Sequence, residues 1–145
     1  MKIENIMDEW NADSKIDTDR LAEVQADSPY VHNKYLKIYH DEKMRFHALG
    51  FQLKSLMRLK REYYLGHLNN KEDLAEHGFP PWEKSVLRSE VYTYVDGDSD
   101  VIKLNMKIAA QQEKLKYLES IIKELGGRNW QIRNIIEWNK FQNPG

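Results

Sequence analysis

Cysteine is absent from this 145-residue chain, which excludes a disulfide framework and any thiolate metal site and makes a reducing compartment the simpler expectation. Proline is scarce: after Pro29 none occurs through Leu65, so no missing backbone N–H interrupts a helix there. Long apolar runs are missing as well. No stretch approaches the roughly 18 residues that would mark a membrane span. The opening MKIENIMDEW alternates charged with apolar residues and forms no continuous signal core. The expectation is a soluble, unexported protein. Nucleophile elbow, phosphate-binding glycine loop and zinc-protease helix are all lacking, so neither covalent catalysis nor nucleotide hydrolysis has a sequence handle. His32, His40, His47, His67 and His77 never pair at the spacing that puts two imidazoles on one helical face, which argues against a metal site. No cofactor is expected.

What is present is enough for one domain with a core. Leu, Ile, Val and Phe together make 35 residues, about a quarter of the chain, above the level of disordered sequences. The net charge of -1 conceals blocks of opposite sign. Residues 1–27 carry 3 basic against 8 acidic side chains, and 28–61 carry 8 against 2. Residues 62–100 reverse to 3 against 9, and 101–145 return to 8 against 4. A basic block inside a nearly neutral protein points to a local anionic partner.

Hydrophobic periodicity predicts an all-α fold. Ile3, Ile6, Met7 and Trp10 share one face of a short first helix, and Asp17 or Thr18 caps a turn holding Leu21 and Val24. Ser28 before Pro29 reads as a helix start. From there Tyr35, Ile38, Phe46, Leu49, Leu53, Leu56 and Tyr63 keep helical spacing up to Leu65, a helix of about 55 Å at 1.5 Å per residue. Gly66 closes it, and residues 69–81 read as a loop with a helical turn near Leu74. A helix of about ten residues is expected from Trp82, with Val86, Leu87 and Val91 inward, although Val91 to Val95 also has strand propensity.

The clearest repeat follows. Val101, Ile108, Leu115 and Ile122 recur every seventh residue, as do Leu104, Gln111, Leu118 and Leu125. This coiled-coil-like seam, widened by Ile102, Ala109 and Ile121, is the expected oligomerisation element, either within a subunit or between subunits. After Gly126 and Gly127 a last amphipathic helix over about 129–141 presents Trp130, Ile132, Ile135, Ile136, Trp138 and Phe141, followed by Asn143, Pro144 and Gly145. The expected architecture is a long helical hairpin plus C-terminal helices in a single domain, with 1–81 carrying the basic helix and 82–145 the oligomerisation helices.

Two clusters carry chemistry. Asp96, Asp98 and Asp100 alternate like the opening of a calcium loop, but Val101 stands where that loop needs glycine and Lys107 where it needs glutamate. Capping of the next helix is the better reading. The second cluster is Met57-Arg58-Leu59-Lys60-Arg61-Glu62-Tyr63-Tyr64, preceded by Lys54 and, further upstream, Lys34, Lys37, Lys43 and Arg45. Single-stranded nucleic acid needs cations for its phosphates and flat side chains on which its bases stack, and Lys54, Arg58, Lys60, Arg61, Tyr63 and Tyr64 supply both. On a helix Lys54, Arg58 and Arg61 fall on adjoining turns, and Lys60 reaches Tyr64 at the i, i+4 spacing. The same residues also fit a solvated charged face whose tyrosines pack on a neighbouring helix.

At this segment the chain resembles the UvsY family of phage recombination mediators, whose signature is a leucine, alternating basic residues, an acidic residue and then Tyr-Tyr-x-Gly. The resemblance extends to Ile16-Asp17-Thr18-Asp19-Arg20-Leu21 and to Gly127-Arg128-Asn129-Trp130-Gln131-Ile132-Arg133, with Phe141 and Gly145 beyond. Leu65 stands where the family has a small polar residue, and the loop between Leu68 and Trp82 is longer and more acidic. The resemblance implies a non-enzymatic, ring-like homo-oligomer of about six or seven subunits in the cytoplasm of an infected bacterial host. It implies binding of single-stranded DNA and help to a UvsX-type recombinase in replacing the single-strand DNA-binding protein. It also implies Arg58 and Lys60 as DNA-binding cations and a C-terminal region that supports oligomerisation. The rival expectations are a structural or adaptor oligomer that joins only protein partners and, last, a metal-dependent phosphodiesterase.

Overall fold

The computed structural model describes residues 1–68 and 70–143; Asn69, Pro144 and Gly145, which belong to the expected loop and tail, lie outside the described residues. The elements are α1 (Ile3–Asp13), α2 (Leu21–Tyr64), α3 (Lys71–His77), α4 (Val91–Asp96), α5 (Ser99–Gly126) and α6 (Arg128–Gln142). No strand occurs among the described residues, so the all-α expectation holds. The chain forms two compact units, Met1–Met44 with Gln111–Gly145 and Arg45–Ala110.

The first unit is built on the N-terminal part of α2 and the C-terminal part of α5. Its core joins Ile6 of α1, Tyr35 of α2, and Leu118, Ile121 and Leu125 of α5, with Trp10, Val31, Ile38, Tyr39 and Ile122 around them. Glu42 pairs with Gln111, and Tyr39 donates to Glu119, so the two helices run antiparallel as in the expected hairpin. Gln111, the polar interruption of the heptad stripe, is buried because Glu42 is: its amide donates to the Glu42 backbone carbonyl at 2.8 Å and to the carboxylate at 2.7 Å. Lys114 and the N-terminal ammonium also reach that carboxylate, at 3.2 and 2.9 Å. Burial alone would raise the Glu42 pKa, but these partners outweigh it and bring it down to about 2.

In the second unit Val91 and Val95 of α4 and Val101 of α5 are buried together, against Leu53, Leu56, Met57, Tyr64 and Leu65 from the end of α2 and its turn. Gly66 ends α2 at φ +81°, with its N–H bonded to Tyr63 O and that of His67 to Glu62 O. That 5→2, 6→1 pair is a Schellman closure, and it needs the left-handed conformation that glycine adopts without a Cβ penalty. Asn70 caps α3 by accepting from Glu72 N at 3.0 Å, confirming the helical turn expected near Leu74.

Two expectations are corrected. The helix expected to begin at Pro29 begins at Leu21, and Pro29 lies inside it; the segment holding Leu21 and Val24 is the first turns of α2. Proline's fixed φ suits a helix, but its ring removes a donor and crowds the carbonyl four residues back, at a cost of roughly 3 kcal/mol; α2 runs through it nonetheless, with Val31 and Tyr35 packed in the first-unit core just beyond. The helix expected from Trp82 is instead non-helical through Leu87, and α4 begins only at Val91. Pro80 and Pro81 hold the chain extended, and the Tyr63 hydroxyl donates to the Pro80 carbonyl. The seam is partly enclosed within the chain. Val101, Leu115, Leu118 and Leu125 are buried, and Leu104, Ile108 and Ile122 half-buried, within the single chain. Val101, Leu118, Ile122 and Leu125 pack against other helices of the same chain.

Candidate functional site

The end of α2 turns its charges in two directions. A helix advances about 100° per residue, so Lys54, Arg58 and Arg61 return to nearly the same side while Lys60 points about 120° away from Lys54. The difference in surroundings is large.

Lys60 is 4% exposed. Its ammonium donates to Asp100 Oδ2 at 2.8 Å, lies 3.1 Å from Asp98 Oδ2, and sits 3.8 Å from the centroid of the Phe79 ring. Asp98 is held from every side: the Tyr64 hydroxyl donates to its Oδ2 at 2.6 Å, while its Oδ1 accepts from the N–H groups of Asp100 and Val101 at 2.8 and 3.2 Å. It is thus the cap of α5, as expected for this aspartate cluster. Burial pushes its carboxyl up, but the Tyr64, Lys60 and Val101 hydrogen bonds and the Lys60 charge outweigh that and hold it below the usual carboxylate range.

Aromatic rings close the surroundings. Tyr63, 4% exposed, packs on Phe79 with centroids 5.0 Å apart. Tyr64 meets Trp82 edge to face at 4.7 Å and Tyr94 at 5.8 Å. Burial, helped by Asp98, raises the Tyr64 pKa far above its ordinary value. The structure places Lys60, Tyr63 and Tyr64 on a different side of α2 from Lys54, Arg58 and Arg61. Lys60 is paired with Asp98 and Asp100 of its own chain, Tyr63 is buried against Phe79, and the partly exposed Tyr64 meets Trp82 and Tyr94; all three line a second cavity of about 580 Å³.

On the opposite side Lys54, Met57, Arg58 and Arg61 line an open groove of about 350 Å³ together with Tyr92 of α4. Lys54 and Arg58 are exposed, and Arg61 is partly so, with Glu62 3.6 Å from its guanidinium. Of the residues singled out from sequence, the structure therefore gathers Lys54, Arg58 and Arg61. Upstream, Lys34 is held at 2.8 Å by both Glu9 and Asp13. Sequence reasoning missed Tyr92 on the groove and the Asp98–Asp100 pair around Lys60. Helical phase, applied residue by residue, separates Lys60 from Arg58; Tyr92 has no local signal, because α4 brings it there through tertiary packing.

The model of the family described as recombination, repair and single-stranded-DNA-binding protein UvsY matches residues 9–145. This chain belongs to the UvsY family. Among curated proteins, recombination protein UvsY of Enterobacteria phage T4 is 22% identical over 142 residues, covering 98% of each chain. Crystal structures of the phage T4 recombination mediator protein UvsY superpose with TM-scores of 0.80 and 0.83 at 20% and 19% identity, each covering at least 97% of both chains. The UvsY fold thus extends over nearly all of this chain. No helix among the described residues is long and apolar enough to cross a membrane.

Proposed function

We propose that this UvsY-family chain is a recombination mediator that binds single-stranded DNA through Lys54, Arg58 and Arg61 and acts as a ring-like homo-oligomer of about six or seven subunits. The observation that carries the binding reading is the open groove where those side chains converge on one face of α2. Unlike Lys60, they are charges that no buried carboxylate neutralises. Each groove is a weak site by itself. Repeated around an assembly, the grooves act at high effective concentration on one strand. A strand held in this way is offered to a UvsX-type recombinase in place of the single-strand DNA-binding protein, in the cytoplasm of the infected host.

The assembly reading rests on α6. Trp138 and Phe141 are 58% and 78% exposed and stack on each other with centroids 5.8 Å apart, and Trp130 is exposed as well. Aromatic rings left open on one helix favour burial against another copy. Replacing Trp138 and Phe141 by Asp is expected to reduce the assembly to a smaller species by light scattering and to weaken oligonucleotide binding by at least about 100-fold through lost avidity. A full-size assembly from that variant would rule α6 out. For the mediator role, recombinase filament formation on strand covered by the single-strand binding protein is measured with wild type and with Arg58→Ala/Arg61→Ala. The variant is expected to abolish the stimulation, and equal stimulation by both would refute the reading.

A further inference from the structure

One wall of the cationic groove is an exposed aromatic ring, Tyr92, and a second exposed ring, Phe51, lies next to its Lys54 end. Tyr92 follows Val91, which is fully buried, and so faces outward; it is 55% exposed and forms a wall of the groove with Arg58 and Arg61. Tyr94, two residues on, joins the Trp82 and Tyr64 rings, and Tyr92 takes no part in that cluster. At the other end, Phe51 is 66% exposed and lies one turn before Lys54, whose ammonium is 5.8 Å from the Phe51 ring centroid. Phe51, Lys54, Arg58 and Arg61 follow at three- and four-residue steps along one face of α2. Water-exposed rings of this size cost solvation free energy, and here they flank the row of cations where phosphates would lie.

We propose that Tyr92, with Phe51 as the second platform, stacks unpaired bases of the strand whose phosphates Lys54, Arg58 and Arg61 hold. This rests on the phosphate-binding reading above. The cations alone would not distinguish single from double strands, because both present phosphates. A ring does, because only an unpaired base offers its face. Stacking is also indifferent to base identity, as suits a protein that must act on any sequence. The residues that sequence reasoning assigned to stacking, Tyr63 and Tyr64, are engaged by Phe79, Trp82 and Tyr94 instead.

The test compares three ligands of equal length, a thymidine oligomer, an abasic oligomer and a duplex, against wild type, Tyr92→Ala, Tyr92→Phe and Arg58→Ala/Arg61→Ala. Tyr92→Ala is expected to lose roughly 5- to 100-fold in affinity for the thymidine oligomer. Its binding to the abasic oligomer and the duplex is expected to be unchanged, and Tyr92→Phe is expected to behave as wild type throughout. Wild-type affinity of Tyr92→Ala for the thymidine oligomer would overturn the proposal, and so would an equal loss on all three ligands. The arginine variant separates the two readings. If it loses binding to every ligand while Tyr92→Ala loses none, only the stacking role fails; if it loses none, the phosphate reading fails first.

Discussion

Within a few residues of one helix, α2 carries cations that have opposite fates. Lys60 is enclosed by Asp98, Asp100 and the Phe79 ring, while Arg58, half a turn earlier, stands in an open groove beside Lys54, Arg61 and Tyr92. The same residue chemistry thus serves different ends according to helical phase. An enclosed ammonium contributes by satisfying a carboxylate that would otherwise be buried alone, and its removal is costly. An exposed guanidinium contributes little to stability and is available to a phosphate. A basic run therefore has to be divided by direction before any of it is assigned to a ligand.

The comparison is broken most sharply by removing each cation in turn. Lys60→Ala is expected to destabilise the second unit by about 3–5 kcal/mol, because Asp98 stays buried without its cation. Arg58→Ala is expected to shift stability by no more than about 0.5 kcal/mol. Urea unfolding of both variants checks this, and equal losses would erase the distinction.

The first unit has a buried charge of the other sign. Glu42 has a folded-state pKa of about 2 against an ordinary value of 4.5. Because the folded pKa is depressed, its contribution is complete above about pH 4.5 and is lost as the pH falls towards 2. Linkage puts that contribution at roughly 3 kcal/mol. Stability followed by urea unfolding between pH 7 and pH 2 is expected to fall across this window in wild type. In Glu42→Gln the fall is expected to be shallower, starting from a lower value at pH 7. An unchanged acid limb would show that Glu42 is not an inward charge of the Lys60 kind.

A smaller effect separates the backbone from the groove. Gly66→Ala puts a Cβ on a residue at φ +81° and is expected to cost about 1–2 kcal/mol while leaving DNA affinity as it was. Thermal unfolding and fluorescence anisotropy with a labelled oligonucleotide measure the two quantities separately.

Much of the fold was legible in the sequence because the signals were local. The heptad stripe located α5, the glycines after Leu65 and Leu125 located helix ends, and the alternating aspartates located a cap. Pro29 misled because proline, which costs roughly 3 kcal/mol inside a helix and so favours a helix start, here lies within one whose next turns are packed in a core. Trp82 to Leu87 misled because helical spacing of apolar residues does not reveal that Trp82 is taken by the Tyr64 and Tyr94 rings. In the site, Lys54, Arg58 and Arg61 were found through residue type and spacing. The burial of Lys60 was not legible because its partner carboxylates lie 38 and 40 positions further along the chain. Tyr92 was missed because its place on the groove depends on how α4 packs.

The central claim is that the outward cations bind the strand and the inward one does not. It is tested most directly by the dependence of oligonucleotide affinity on salt, compared between wild type and Lys54→Ala/Arg58→Ala/Arg61→Ala. Each lost phosphate contact should reduce the slope of log K against log salt by about 0.7, so the triple variant should bind far more weakly and with a slope smaller by about 2 for each engaged subunit. An unchanged slope, with affinity intact, would contradict the account.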